Sequence, residues 1–428
     1  MAAQEWQPDS WRGYEAADQP EYSDAAIRDR VLCELSRLPP LVTSWEILRL
    51  RDQLAEAARG NSFVLQGGDC VERLADCTSA RIVNTLKVLL QMSLVLVVGA
   101  QRPLIRVGRF AGQYAWPRSG DNQTPAGTPD PELLLRCYEH AALTLNFTRA
   151  LIKGGFADLH HLEYFELDWV RHSPQADEYH EVASNVSQAI SFMENVLGVR
   201  AGASDRIDFF TSHEALILAY EQAQTRRVPR RSGHFNLSTH FPWIGSRATH
   251  PNGAHVEYMR GIENPIGVKV GVGCTRECVA GWLERLDPGR TPGRLALIHR
   301  FGACRIAGEL PRLIEMVRAE GGEVLWICDP MHGNTCITAT AGRTRRLEDI
   351  ESEVEQAFDI HHAMGQHLGG VHLEFSGENI AECTGGARGL SEKDLASSSE
   401  LDADPRLNYE QALELAFHIA RKMKSLAK

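Results

Sequence analysis

The sequence predicts a (β/α)₈ barrel, and three observations support it. Short apolar runs alternate with longer helical patterns, the runs number eight, and the most chemically distinctive residues fall where those runs give way to loops. Alternation signals parallel βαβ units, and a count of eight favours a closed barrel over an open sheet. A chain of 428 residues that is 43% hydrophobic and 24% charged can hold one such barrel, its extensions and a large core.

Residues 1–58 read as a helical N-terminal extension, broken at Pro39 and Pro40, with a helical apolar repeat from Trp45 to Ala58. Residues 59–428 read as the barrel. Its strands are expected at 62–67, 103–107, 207–211, 234–239, 266–270, 294–299, 323–328 and 370–375. Helical periodicity is clearest at 79–94, 131–153, 178–197, 304–319, 346–363 and 408–424. The stretch from about 154 to 205, between the second and third strands, reads as a mostly helical insertion.

A formal charge of −11 without a basic stripe argues against nucleic acid, and it requires a local basic pocket for any anionic substrate. The apolar stretch around Val88 to Ala100 is broken by Gln91 and reads as too short to span a membrane. The N-terminus has neither a basic start nor an apolar signal core. The 10 cysteines lack the spacing of a disulfide framework, so a reducing cytoplasm is expected. Cys274 and Cys278 have no second pair and do not read as a metal site.

Four residues then stand out. Cys70 follows the first strand, His332 the seventh, Glu374 closes the eighth, and Asp404 lies in the loop beyond it. All four map to one mouth of the barrel, and a Cys/His/Glu/Asp set suits a divalent first-row metal. Each alone would be unremarkable, because single Cys and His residues are usually packing or surface groups. A second set shares that mouth: Arg109, Arg247, Lys269 and Arg300. Cations at strand ends must meet carboxylates, with Glu214, Glu257 and Asp329 as candidates, or an anionic ligand such as a phosphorylated acid. Arg118-Ser119 and Arg343-Thr344-Arg345 read as further phosphate seats.

Taken in order, several segments resemble the type II 3-deoxy-D-arabino-heptulosonate 7-phosphate (DAHP) synthases. They include Leu65-Gln66-Gly67-Gly68-Asp69-Cys70, Phe241-Pro242-Trp243-Ile244-Gly245, Asn264-Pro265-Ile266-Gly267-Val268-Lys269, Asp329-Pro330-Met331-His332-Gly333-Asn334-Thr335 and Asp404-Pro405-Arg406-Leu407-Asn408. The resemblance implies joining of phosphoenolpyruvate (PEP) to a phosphorylated aldehyde, erythrose 4-phosphate, in a homodimer or higher homo-oligomer. It makes Cys70, His332, Glu374 and Asp404 the ligands of a divalent metal, Mn²⁺ first, with Co²⁺ or another first-row ion as alternatives. It makes Arg109, Arg247, Lys269 and Arg300 the grip on PEP, with Lys269, Arg109 and His332 nearest the chemistry.

The departures concentrate on the acceptor side. The family reads Lys-Pro-Arg-Ser where this chain has Trp116-Pro117-Arg118-Ser119, so a cationic donor is replaced by one neutral indole N–H. Arg343 stands for the family Lys expected at the sugar phosphate, and Ser246 for a Glu. Trp116, Arg118, Ser119 and Arg343 are thus the expected acceptor-facing residues. Three readings follow: a DAHP synthase of a secondary-metabolic shikimate-type branch, an enzyme joining PEP to another aldehyde or imine such as an amino-sugar phosphate, and a non-catalytic partner protein. Complete metal and PEP sets argue against the last.

Overall fold

The structure, a computed structural model, describes residues 5–112, 114, 129–154, 156, 175–195, 208–338, 342–395 and 404–426. Eight parallel strands close into a barrel in sequence order: β1 (Phe63–Gly68), β2 (Leu104–Arg109), β3 (Phe209–Glu214), β4 (Phe241–Ile244), β5 (Ile266–Val270), β6 (Leu295–His299), β7 (Leu325–Cys328) and β8 (Leu368–Glu374). The seam is the β1–β8 ladder, which sets Gly68 opposite Glu374. On its other edge Gly68 faces Arg109 of β2. Gly68 has φ +148°, and a Cβ there would come within 2.8 Å of the Arg109 carbonyl oxygen, so glycine is what lets the strand end fit.

The helices are α1 (Ala25–Leu35), α2 (Ser44–Ala58), α3 (Ser79–Ala100), α4 (Glu132–Lys153), α5 (Ala176–Asn195), α6 (Leu218–Gln224), α7 (Ala254–Met259), α8 (Arg276–Leu286), α9 (Ile306–Ala319), α10 (Leu347–Ala363) and α11 (Tyr409–Leu426). Helix α2 starts at a capping box: Thr43 Oγ1 accepts from the Glu46 amide, and Glu46 Oε2 accepts from the Thr43 amide at 2.8 Å. Its Leu50, Leu54 and Ala57 join Val64, Ile105, Phe210, Ile298 and Ile327 in one cluster, so the helix stoppers the barrel at the end opposite the strand C-termini. The strand residues in alternate register, such as Leu297 and Trp326, face outward into a second layer under the helices.

One strand lies elsewhere than expected. The fourth was expected at 234–239, yet the barrel strand is Phe241–Ile244, and Phe235–Asn236 instead pairs antiparallel with Thr225–Arg226. Asn236 and Ser238 are drawn away from the barrel by Glu221, which accepts from Asn236 Nδ2 and Ser238 Oγ at 2.6 and 2.8 Å. The real strand is only four residues long and contains Pro242, which weakens any strand signal. Helix α3 also differs. It runs for 22 residues and is apolar enough to cross a membrane by length and composition, but most of it is buried under α11 and the barrel.

Buried histidines make the fold acid-sensitive. Burial pushes His255 and His361 down to about 4, against about 6.5 in an unfolded chain. Their contribution is complete above pH 6.5 and is lost as pH falls toward 4, because only the unfolded state then takes up the protons. The expected loss is about 2 kcal/mol per histidine by pH 5. Glu353, which burial raises to about 8, opposes this as a single group, while burial also holds His372 well below its usual value and adds to the loss. Urea midpoints at pH 7 and pH 5 check the prediction; equal midpoints would mean that the rings accept protons in place.

Candidate active site

The strand ends bring the four expected metal ligands together. The ligand atoms of Cys70, Glu374 and Asp404 lie within 4.8 Å of one another. His332 Nε2 joins them, 3.2 Å from Glu374 Oε1 and 3.7 Å from Asp404 Oδ2. Cys70 is carried just past β1 and Glu374 ends β8, so the ladder at the seam sets their spacing. Arg406 clamps the two flanking loops: its Nη1 donates to Asp69 Oδ1 at 2.8 Å, beside Cys70, and its Nη2 to Glu382 Oε1 at 2.7 Å.

The charges are arranged for a cation. Burial opposes ionisation of Glu374, but His332, Arg109 and Arg345 override it and hold the carboxyl well below its usual range. Burial, reinforced by Glu374, pushes the Cys70 thiol up, a tendency that a coordinated divalent ion reverses by favouring the thiolate. His332 Nδ1 lies 2.7 Å from Asp329 Oδ2, which fixes the ring and directs Nε2 at the other three groups. In ligand type these four residues suit a divalent first-row ion, with Cys70, Glu374 and Asp404 grouped closely and His332 joining them beside Glu374 and Asp404.

The expected PEP cations separate into an inner and an outer pair. Arg109 is buried, 2.9 Å from Glu374 Oε1, and donates to His372 Nε2 at 2.7 Å. Lys269 is also buried and bonds to Asp329 Oδ2, the oxygen that also orients His332. Burial lowers Lys269 to about 8 despite Asp329. Trp243 underlies both cations, with Arg109 Cζ 5.3 Å and Lys269 Nζ 5.8 Å from its ring. Arg300 is half-buried and donates to Ser246 Oγ at 2.9 Å. Arg247 lies on the rim with its side chain 55% exposed, paired to Asp18 of the N-terminal segment at 2.9 Å. Glu257 takes no part; it binds Arg260 and Arg285. Beside His332 opens a cavity of about 430 Å³ lined by Lys269, Arg300, Ser246 and Arg305 among others, a size suited to a small ligand.

On the acceptor side Trp116, Arg118 and Ser119 fall outside the described residues. Arg343 is half exposed and bonds to Asp404. Arg345 does not complete a phosphate seat. It is fully buried, donates to Glu374 Oε2 at 2.7 Å and to Thr335 Oγ1 at 2.9 Å, and so serves the metal side.

Trp243, His372 and the bridging role of Asp329 went unrecognised in the sequence. A signal existed for His372, because strand alternation puts it on the same face as Glu374, two residues on. None existed for the floor formed by Trp243, which depends on where β4 falls.

Comparison with known proteins points to one family. The chain matches the model of the class-II DAHP synthetase family over residues 6–128 and 121–420. It is 41% identical over 432 residues to a phospho-2-dehydro-3-deoxyheptonate aldolase of Streptomyces coelicolor, covering 96% of each chain. It is 40% identical over 450 residues to a protein of the same name from Neurospora crassa, covering 97% of this chain and 94% of that one. With a closed eight-stranded barrel and relatives matched along nearly their full length, this chain belongs to the class-II DAHP synthetase family and is an enzyme of the transferase type.

Proposed function

We propose that this enzyme condenses PEP with erythrose 4-phosphate to give DAHP and phosphate, using a divalent metal held by Cys70, His332, Glu374 and Asp404. The observation that carries the reading is Asp329, whose carboxylate holds both the PEP-side Lys269 and the metal-side His332. One buried anion thereby sets the distance between the two halves of the reaction. The names of the two relatives support the same reaction.

Arg109 and Lys269 hold PEP over Trp243, and Arg300 and Arg247 close on it from the rim. The acceptor phosphate is assigned to Arg118, Ser119 and Arg343, on the resemblance of their segments to the family. When bound, the metal, Mn²⁺ by preference, polarises the acceptor aldehyde oxygen. C3 of PEP forms the new bond to the aldehyde carbon, water adds at C2, and the C–O bond to phosphate breaks. The buried cations hold the PEP charge in register throughout, which is catalysis by positioning. Residues 1–58 serve as an extension to the catalytic barrel of 59–428, and the enzyme works as a cytoplasmic homo-oligomer in a secondary-metabolic branch.

Trp116 favours a second reading, in which PEP meets a different aldehyde or imine. Purified protein stripped with chelator and restored with Mn²⁺ decides between them, with PEP consumption and phosphate release read on erythrose 4-phosphate alone. Metal-dependent turnover to a seven-carbon product supports the first reading; PEP binding without turnover supports the second. Trp116→Lys sharpens the choice. If erythrose 4-phosphate is the natural acceptor, the variant lowers kcat/KM about tenfold or more, on the scale of one lost oriented contact. A rise of that size or greater would show that the site is built for another acceptor.

A further inference from the structure

A second group of metal-ligating side chains lies outside the barrel mouth. His299 ends β6 and Cys328 ends β7, and the two are register partners on adjacent parallel strands. Strand alternation turns Cys328, like Trp326, into the layer between barrel and helices. Glu353 reaches the same place from α10. The ligand atoms of all three lie within 4.8 Å of one another, and all three residues are fully buried.

The trio has features that packing does not explain. Among the described residues neither ring nitrogen of His299 has a hydrogen-bond partner, although buried polar groups are nearly always paired and an unpaired one is destabilising. Glu353 is surrounded by donors only: the amides of Phe301 and Gly302 at 2.9 Å each, and Asn334 Nδ2 at 2.8 Å. These donors favour the anion against the burial that raises its pKa, and they leave one of the roughly four acceptor positions of a carboxylate open. Such outer donors are what orient a ligating carboxylate. His361 stacks on His299 with ring centroids 5.6 Å apart, and its Nε2 is also without a partner among the described residues.

We propose that His299, Cys328 and Glu353 form a structural site for a divalent cation of the zinc type. Ligands at 2.0–2.3 Å around a tetrahedral ion stand roughly 3.3–3.8 Å apart, so small side-chain rotations close the trio on one. A dication with one thiolate and one carboxylate is neutral overall, which removes the penalty of burying net charge. The ion supplies the missing partner of His299. It also ties β6, β7 and α10 together directly behind the loops that present Arg300 and His332. This site is independent of the one at the barrel mouth and does not rest on the proposed reaction.

Metal counting tests it. The full chain, expressed with zinc in the medium and desalted, is analysed for bound metal as wild type and as Cys328→Ala, His299→Ser and His332→Ala. Two equivalents are expected for the wild type and one for each variant. Adding Cys328→Ala to His332→Ala removes the remaining equivalent. Cooperative urea unfolding identifies any variant that has not folded, and His299→Ser, which keeps the thiol, stands in if Cys328→Ala fails. A single equivalent in the wild type that folded Cys328→Ala or His299→Ser keeps, or two equivalents in either of those variants, overturns the proposal.

Discussion

His332→Ala is expected to abolish turnover, lowering kcat/KM by at least about 10³-fold, because a metal's charge stabilisation is worth several kcal/mol and each tenfold is about 1.4 kcal/mol. Metal affinity at the barrel mouth should fall with it. Calorimetric titration separates the two effects: Mn²⁺ binding at that site is lost, while PEP binding survives, since Arg109 and Lys269 remain buried over Trp243. Glu374→Gln should act in the same direction, and it also leaves the buried Arg109 and Arg345 without their shared anion. Full activity in either variant would falsify the metal assignment.

Asp329→Asn has the second-largest expected effect and a different signature. Asn has the same shape, but it cannot supply a negative charge to both Lys269 and His332. Removing one member of a buried ion pair costs about 3–5 kcal/mol, and loss of an outer-shell partner lowers metal affinity about 10–100-fold. Both PEP and metal binding should therefore weaken together, unlike the separated losses expected of His332→Ala. Isothermal titration of each ligand with the same variant reads this directly. A variant that lost only metal affinity would show that Lys269 is held by other groups.

Both the barrel and the gathering of the four candidate ligands were legible in the sequence because each rests largely on local pattern. Seven strands announce themselves as apolar runs, and Cys70, His332 and Glu374 fall at or just past strand ends whatever their exact bounds, while Asp404 lies in the loop that leads into α11. The fourth strand was not legible. Its residues are few and include a proline, and its neighbour 234–239 looks more like a strand than it does. That neighbour is held instead by Glu221 and Asn264, polar contacts between segments that no periodicity reveals. The same limit applies at the site. Cations can be counted in a sequence, but which are buried inside, like Lys269, and which lie on the rim, like Arg247, depends on partners far along the chain.

The seam of the barrel has a consequence for how the enzyme matures. Cys70 is made early and Asp404 near the end, and Cys70 and Glu374 come together only when β8 docks beside β1. An incomplete chain therefore cannot present the full ligand set, however well its first strands have formed. A metal that binds only the finished site would stabilise the closed form by RT ln(1 + M/Kd), with M the free metal concentration. Under the proposed metal assignment, capture of the ion would act as a quality check, favouring chains whose last strand has found the first.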